Sequence, residues 1–355
     1  MSTQYDDFNK KYGDIIFIGS YIISGVSLFC LSLVLFKISK HKIKKSIMTT
    51  SLFIITISEI INCISKLLNI LRQLIKPKNE QDYSYWFIGQ IQILFSLFSD
   101  SCTIISSFIL TLKIYKTTLR HGLNFFNSKN IFIKILLFSL LTPLLFSLTI
   151  LFLNIKLYGG TAEESESEYK VWAWINCRLS LFVYSIVWIF IISIMILIGK
   201  TISYLNKRKK ELLQEEEDDD DEDNVTKESI ESSILSEKIN ETVNKLYYFP
   251  IVTCVIWILL SIDRIPDDII NLSMKGKEYV YQGNWLYVKY ATIFLHNVVG
   301  SARGIIYCVT FFRVDSKLFN EIKNVLSCAW LCKKKERYST TINSDLPNEP
   351  VTFES

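Results

Sequence analysis

Seven stretches of twenty or more mostly apolar residues dominate this sequence, and any fold must house them first. They fall at 15–36, 46–71, 86–114, 131–153, 175–199, 246–265 and 285–312. A helix of about 20 apolar residues crosses the hydrocarbon core of a bilayer. Inside lipid the backbone must satisfy its own hydrogen bonds, so isolated spans of this length must be helical. The expectation is an all-α membrane protein, a seven-transmembrane helix bundle. Half of the 355 residues are hydrophobic, which a soluble domain could tolerate, but not in blocks of this length. The blocks exclude an ordinary soluble enzyme, a disordered chain and a disulfide-stapled secreted module. The eight cysteines are scattered, with no CxxC and no metal-ligand spacing.

The first block is too long for the apolar core of a signal peptide, and three aspartates precede it, so it reads as a retained span. The net charge of +4 says little, because charge is sorted by segment. Counted over 37–45, 116–129, 200–210 and 313–337, the segments after spans one, three, five and seven hold twenty lysines and arginines, against nine on the other side. The positive-inside rule then puts residues 1–14 outside the cell and residues 313–355 in the cytosol. The domain that holds the seven spans is 15–312. Its longest loop, 200–245, faces the cytosol and carries nine consecutive acidic residues at 215–223. Such a run repels itself and reads as a solvated spacer.

Past the last span, Val314, Leu318, Ile322, Val325, Leu326 and Ala329 recur at helical spacing with Lys317 and Lys323 between them. That pattern predicts a short amphipathic helix on the inner leaflet. Cys328 and Cys332 end it beside three lysines, a candidate palmitoylation site or simply two cytosolic thiols. Asn271 begins the one glycosylation sequon expected to face outside.

Catalytic patterns are missing. The three histidines, His41, His121 and His296, fall in two loops and one span. Gly199-Lys200-Thr201 lacks the upstream glycine of a phosphate-binding loop, since Ile194 stands there. Lys289 sits near the end of the seventh span, where a retinal Schiff base would want it in the middle. No enzyme activity and no cofactor are expected.

Polar residues inside the spans are the informative ones, because they are costly in lipid and usually face the bundle interior. Glu59, Asn62, Lys66, Asn69 and Gln73 share one face of the second span. Gln92, Ser96, Ser99, Thr103 and Ser107 share a face of the third, with Asp100 beside them. Lys289, His296, Gly300, Arg303 and Tyr307 share a face of the seventh. Glu59, Asp100 and Arg303 lie deepest and are expected to form an intramembrane polar network, either a purely structural pairing or a lock on an inactive arrangement. Lys66, Arg178, Arg264 and Lys289 lie toward the outer face. Taken singly, each can snorkel to headgroups; converging at one mouth, they can hold an anionic ligand, and arginine suits phosphate. Trp172 and Trp174 sit at the same level, as part of a ligand site or of an interfacial aromatic belt. Gly300 and Gly304 form a small-xxx-small pair suited to close helix packing.

Trp172-Ala173-Trp174-Ile175 leading into Arg178-Leu179-Ser180-Leu181-Phe182 resembles the W-C-W-I loop and R-x-x-L-F that follows it in the cyclic-AMP receptors and cyclic-AMP-receptor-like proteins of social amoebae. Trp257, five residues, then Asp263-Arg264-Ile265 resembles that family's W-x5-N-R-I. The resemblance implies a G-protein-coupled receptor in the plasma membrane. Such a receptor passes the signal of an extracellular small-molecule ligand to a heterotrimeric G protein, and involves no nucleic acid. It also exposes departures. Ala173 replaces the cysteine of W-C-W-I, and 83–92 holds no cysteine to partner it. Asp263 replaces the family's asparagine beside Arg264, which disfavours desolvating a phosphate there. The alternative is a polytopic transporter or channel that uses the intramembrane charges, although no inverted repeat is visible.

Overall fold

The computed structural model describes residues 2–40, 47–74, 83–119, 129–158, 175–218, 247–262, 264–266, 268–269, 273 and 284–314. Trp172, Trp174, Asn271, Cys328 and Cys332, with most of the expected amphipathic helix, lie outside the described residues. The helices are α1 (Ser2–Lys40), α2 (Ile47–Leu74), α3 (Tyr83–Leu119), α4 (Lys129–Tyr158), α5 (Cys177–Asp218), α6 (Tyr247–Pro266) and α7 (Asn284–Val314). All seven are long and apolar enough to cross a membrane. The chain is a polytopic membrane protein with seven spans.

Two helices extend past the expected limits. α1 already begins at Ser2, so residues expected as an N-terminal extension are helical. α5 runs 42 residues, through the first part of the expected 200–245 loop. Lysine, arginine, leucine and glutamate are strong helix formers, and Lys207 pairs with Glu211 one turn on at 3.8 Å. At 1.5 Å per residue α5 is about 63 Å long, roughly twice a bilayer core.

The compact helical unit is Met1–Thr310. The other unit, Phe311–Ser355, is described only in the last turn of α7. Within the first, α3 is the central post. It packs on α2, α4 and α5, and α1 packs on α2. α3 also meets α6, where Ser107 and Thr253 hydroxyls bond at 3.0 Å. Buried positions make up 61% of the α2 and α3 spans but only 22% of α4.

Local chemistry sets several of these contacts. Asn176 caps α5: its side-chain oxygen accepts from the Arg178 amide at 3.1 Å, and its carbonyl takes the first helical bond from Ser180. The Asn176 amide donates to Asn154 at 3.0 Å, which ties the start of α5 to the end of α4. Pro143 inside α4 has no N–H, so the Ser139 carbonyl one turn earlier loses its helical donor. The Cys102 thiol of α3 donates to that carbonyl at 3.4 Å. At Gly304 of α7, an added Cβ would sit 2.7 Å from the Leu31 side chain and 2.8 Å from that of Ser27 on α1. Only glycine allows this approach, and the Ser27 hydroxyl uses it to donate to the Ser301 carbonyl at 2.8 Å.

Candidate functional site

The polar faces of α2, α3 and α7 meet inside the bundle around Arg303. Its Nη1 donates to Asp100 Oδ1 at 2.5 Å and its Nη2 to Glu59 Oε1 at 2.6 Å. Glu59 is 0% exposed, Arg303 3% and Asp100 9%, so a single guanidinium bridges two carboxylates from two other helices away from solvent. The planar fork of arginine makes this bridge possible; a lysine is a point donor and cannot reproduce its geometry. Thr103 donates to Glu59 Oε1 at 3.0 Å, and Asn62 Nδ2 to Glu59 Oε2 at 3.4 Å, so each Glu59 oxygen accepts a bond.

Lys66 sits one α2 turn further on and is also buried. Its ammonium donates to the Gly300 carbonyl of α7. The sequence allowed Lys66 to snorkel outward; the structure corrects this. The side chain points into the bundle because a carbonyl and two carboxylates offer it better partners than lipid does. Lys66 and Arg303 balance Glu59 and Asp100, so the buried group is neutral as a whole. Arg303 is covered on another side by Trp257 of α6, with its guanidinium carbon 5.5 Å from the ring centre. Tyr184 of α5 meets the same indole edge-to-face, with centroids 6.3 Å apart. One turn further along α7, the Tyr307 hydroxyl bonds Thr253 at 2.9 Å, which continues the polar seam to Ser107.

A polar cavity of about 30 Å³ opens above this network. Lys66, Arg303 and Arg264 line it with a single carboxylate, Asp100, and with His296 and Gln92. His296 Nδ1 lies 3.3 Å from the Leu260 carbonyl of α6. The lining is thus mostly polar, with the charged groups of the buried network at its base and Arg264 of α6 beside them. The structure therefore brings Lys66 and Arg264 to one cavity, contiguous with Glu59, Asp100 and Arg303. It does not bring Arg178 there: that side chain is exposed and is no part of the lining. The Lys289 side chain lies outside the described residues. Cys177 is buried, and its thiol donates to the Asn176 side-chain oxygen at 3.7 Å. No group of three or more His, Cys, Asp or Glu among the described residues is placed to hold a metal ion.

Sequence reasoning missed the part α6 plays. Thr253, Trp257, Leu260 and Arg264 recur at intervals of four, three and four, so the seam was written there as well. It went unseen because Trp257 and Leu260 count as apolar, and only their carbonyl, ring face and indole N–H make them part of a polar wall. Tyr184 was hidden for the same reason. Comparison with protein-family models finds no match for this chain, and comparison with curated proteins finds none either.

Proposed function

We propose that this protein is a cell-surface G-protein-coupled receptor of the cyclic-AMP-receptor-like type, signalling from an extracellular ligand to a heterotrimeric G protein. The observation that carries the reading is the Arg303 bridge, which joins α2, α3 and α7 beneath a polar cavity lined by Lys66, Arg264 and Arg303. A receptor needs two arrangements of its bundle and a ligand that interacts differently with each. Here the ligand's anionic group competes with Asp100 and the Gly300 carbonyl for Arg303 and Lys66. Every contact it makes is one the resting network gives up, so binding favours an arrangement in which α7 is released from α2 and α3. At about 30 Å³ the resting cavity admits only water-sized groups, so ligand binding must part the helices around it.

The extension of α5 beyond its span supports the same reading. By the charge rule that extension lies in the cytosol, where it offers a lever and a docking surface for the G protein. The Trp172–Phe182 and Trp257–Ile265 motifs supply the family resemblance.

The test is nucleotide exchange on a co-expressed heterotrimeric G protein, with graded cyclic AMP outside the cell and surface display verified. A dose-dependent rise with cyclic AMP or with another small anionic ligand is the expected result. If neither cyclic AMP nor a panel of other small anions stimulates exchange, while proteoliposomes of the protein alone carry ion flux, the transporter reading replaces the receptor.

A further inference from the structure

A second chamber lies behind the charged network, on the α4 side. It measures about 180 Å³ and is enclosed by one face each of α3, α4 and α5. Ile104 and Ile105 of α3, Phe138 and Phe146 of α4, and Val187 and Phe190 of α5 supply most of its surface. Phe190 is held edge-to-face against Phe108 of α3, with ring centres 5.4 Å apart. At its inner end stand Asp100, Tyr184 and Trp257, the same three residues that wall the polar cavity.

Three observations decide what can fill it. Water is a poor occupant, since a water needs two to four polar partners and this lining is almost wholly hydrocarbon. Emptiness is costly too, because atoms lining a void lose their dispersion contacts on that side. The chamber is also continuous with the lipid-facing surface. Phe138 is 53% exposed and Thr142 is exposed, yet both line the chamber, so its mouth lies on the outer face of α4. That face belongs to the span with the least buried surface, 22%, and it faces the hydrocarbon of the bilayer. α4 and α5 each lean on α3, and the chamber occupies the space between them.

We propose that this chamber is a binding site for one hydrocarbon chain of a membrane lipid, which enters between α4 and α5 and ends against Trp257 and Tyr184. A chain leaving the bilayer for the chamber stays in a hydrocarbon environment, so it sacrifices no solvation and gains packing. Cavities of about 150 Å³ with such linings bind benzene, so a chamber of this size takes a chain segment of roughly six carbons. The bound chain touches the indole that covers Arg303. It thereby completes the dry wall behind the Asp100–Arg303 pair and keeps the local dielectric low. The site stands on the geometry of the chamber and does not depend on the receptor reading.

The test is photolabelling of the full-length protein in nanodiscs of phosphatidylcholine that carries a diazirine on one acyl chain, with adducts mapped by mass spectrometry. Adducts are expected on the inward-facing Val187 and Trp257 as well as on the outward-facing Ile189 and Met195. Thr142→Trp and, separately, Phe138→Trp enlarge exposed side chains at the mouth without adding volume to the core. Both should abolish the Val187 and Trp257 adducts and leave those on Ile189 and Met195 unchanged. Labelling confined to Ile189 and Met195 in the unaltered protein would overturn the proposal. So would chamber adducts that persist undiminished in both plugged variants.

Discussion

The α2–α3–α7 side of the bundle buries a charged network, whereas the α4–α5 side encloses an apolar chamber. On the first, charged and hydroxyl side chains are the most buried groups: Glu59, Asn69, Thr103 and Ser107 have no exposure at all. On the second, large apolar side chains are the exposed ones: Phe138, Leu145 and Phe152 on α4, and Ile189 and Met195 on α5, all exceed 50%. A soluble protein would reverse this arrangement. In a bilayer, leucine gains little by leaving the lipid, whereas an unpaired carboxylate gains much by finding a partner. Polarity marks the interior and apolarity marks the surface.

Substitutions that break this contrast should rank by how many buried partners they strand. Arg303→Met is expected to be the worst, because it removes the guanidinium that bridges two buried carboxylates; a loss of about 3–5 kcal/mol is expected. Thermal unfolding in detergent micelles would read it as a large drop in Tm. Adding Glu59→Gln and Asp100→Asn to that variant should recover part of the loss, since both stranded carboxylates go while Lys66 keeps its bond to the Gly300 carbonyl. If the triple variant unfolds as readily as the single, the bridge is not what holds the three helices.

Gly304→Ala comes next. Its new Cβ would lie 2.7 Å from the Leu31 side chain, so α1 and α7 must move apart at a cost of about 1–3 kcal/mol. Leu31→Ala should cost less in that background than in the unaltered protein, and the same melting assay would show whether the clash is the cause. On the other side of the comparison, Leu145→Ala removes an apolar side chain that is 56% exposed to lipid. Melting should barely change, by less than about 0.5 kcal/mol, because lipid chains fill the vacated space. A loss like that of a core leucine would mean that this face of α4 packs against protein. The smallest effect should come from Lys207→Ala on the α5 extension, where the partners are 78% and 39% exposed and the pair contributes under about 0.5 kcal/mol. Helix content measured by circular dichroism should stay the same.

The spans were legible because hydropathy over twenty residues is a strong signal, and six of the seven observed spans begin within five residues of their expected starts. The stripe on α2 was equally plain, since Glu59, Asn62, Lys66 and Asn69 lie at a spacing only a helix brings to one face. Depth was harder to read. Lys66 lies only seven residues from Glu59, and sequence gives no way to tell a lysine that snorkels out from one whose ammonium finds a carbonyl on another helix. Arg178 and Arg264 both follow an aromatic motif, yet one faces outward and the other lines the cavity. That difference depends on helix rotation, which is set by partners far away in the chain. The reach of α5 was missed because an acidic run suggests a solvated spacer, while the residues before it favour helix.

On the proposed function, the Arg303 bridge holds the receptor at rest. Basal nucleotide exchange on a co-expressed heterotrimeric G protein, compared between the unaltered protein and Asp100→Asn at matched surface display, tests it most directly. Asparagine keeps the size of the side chain and removes the charge that holds Arg303 on α3, so the account predicts higher exchange without ligand. Exchange that stays at the unaltered level, from a variant that still melts cooperatively, would contradict it.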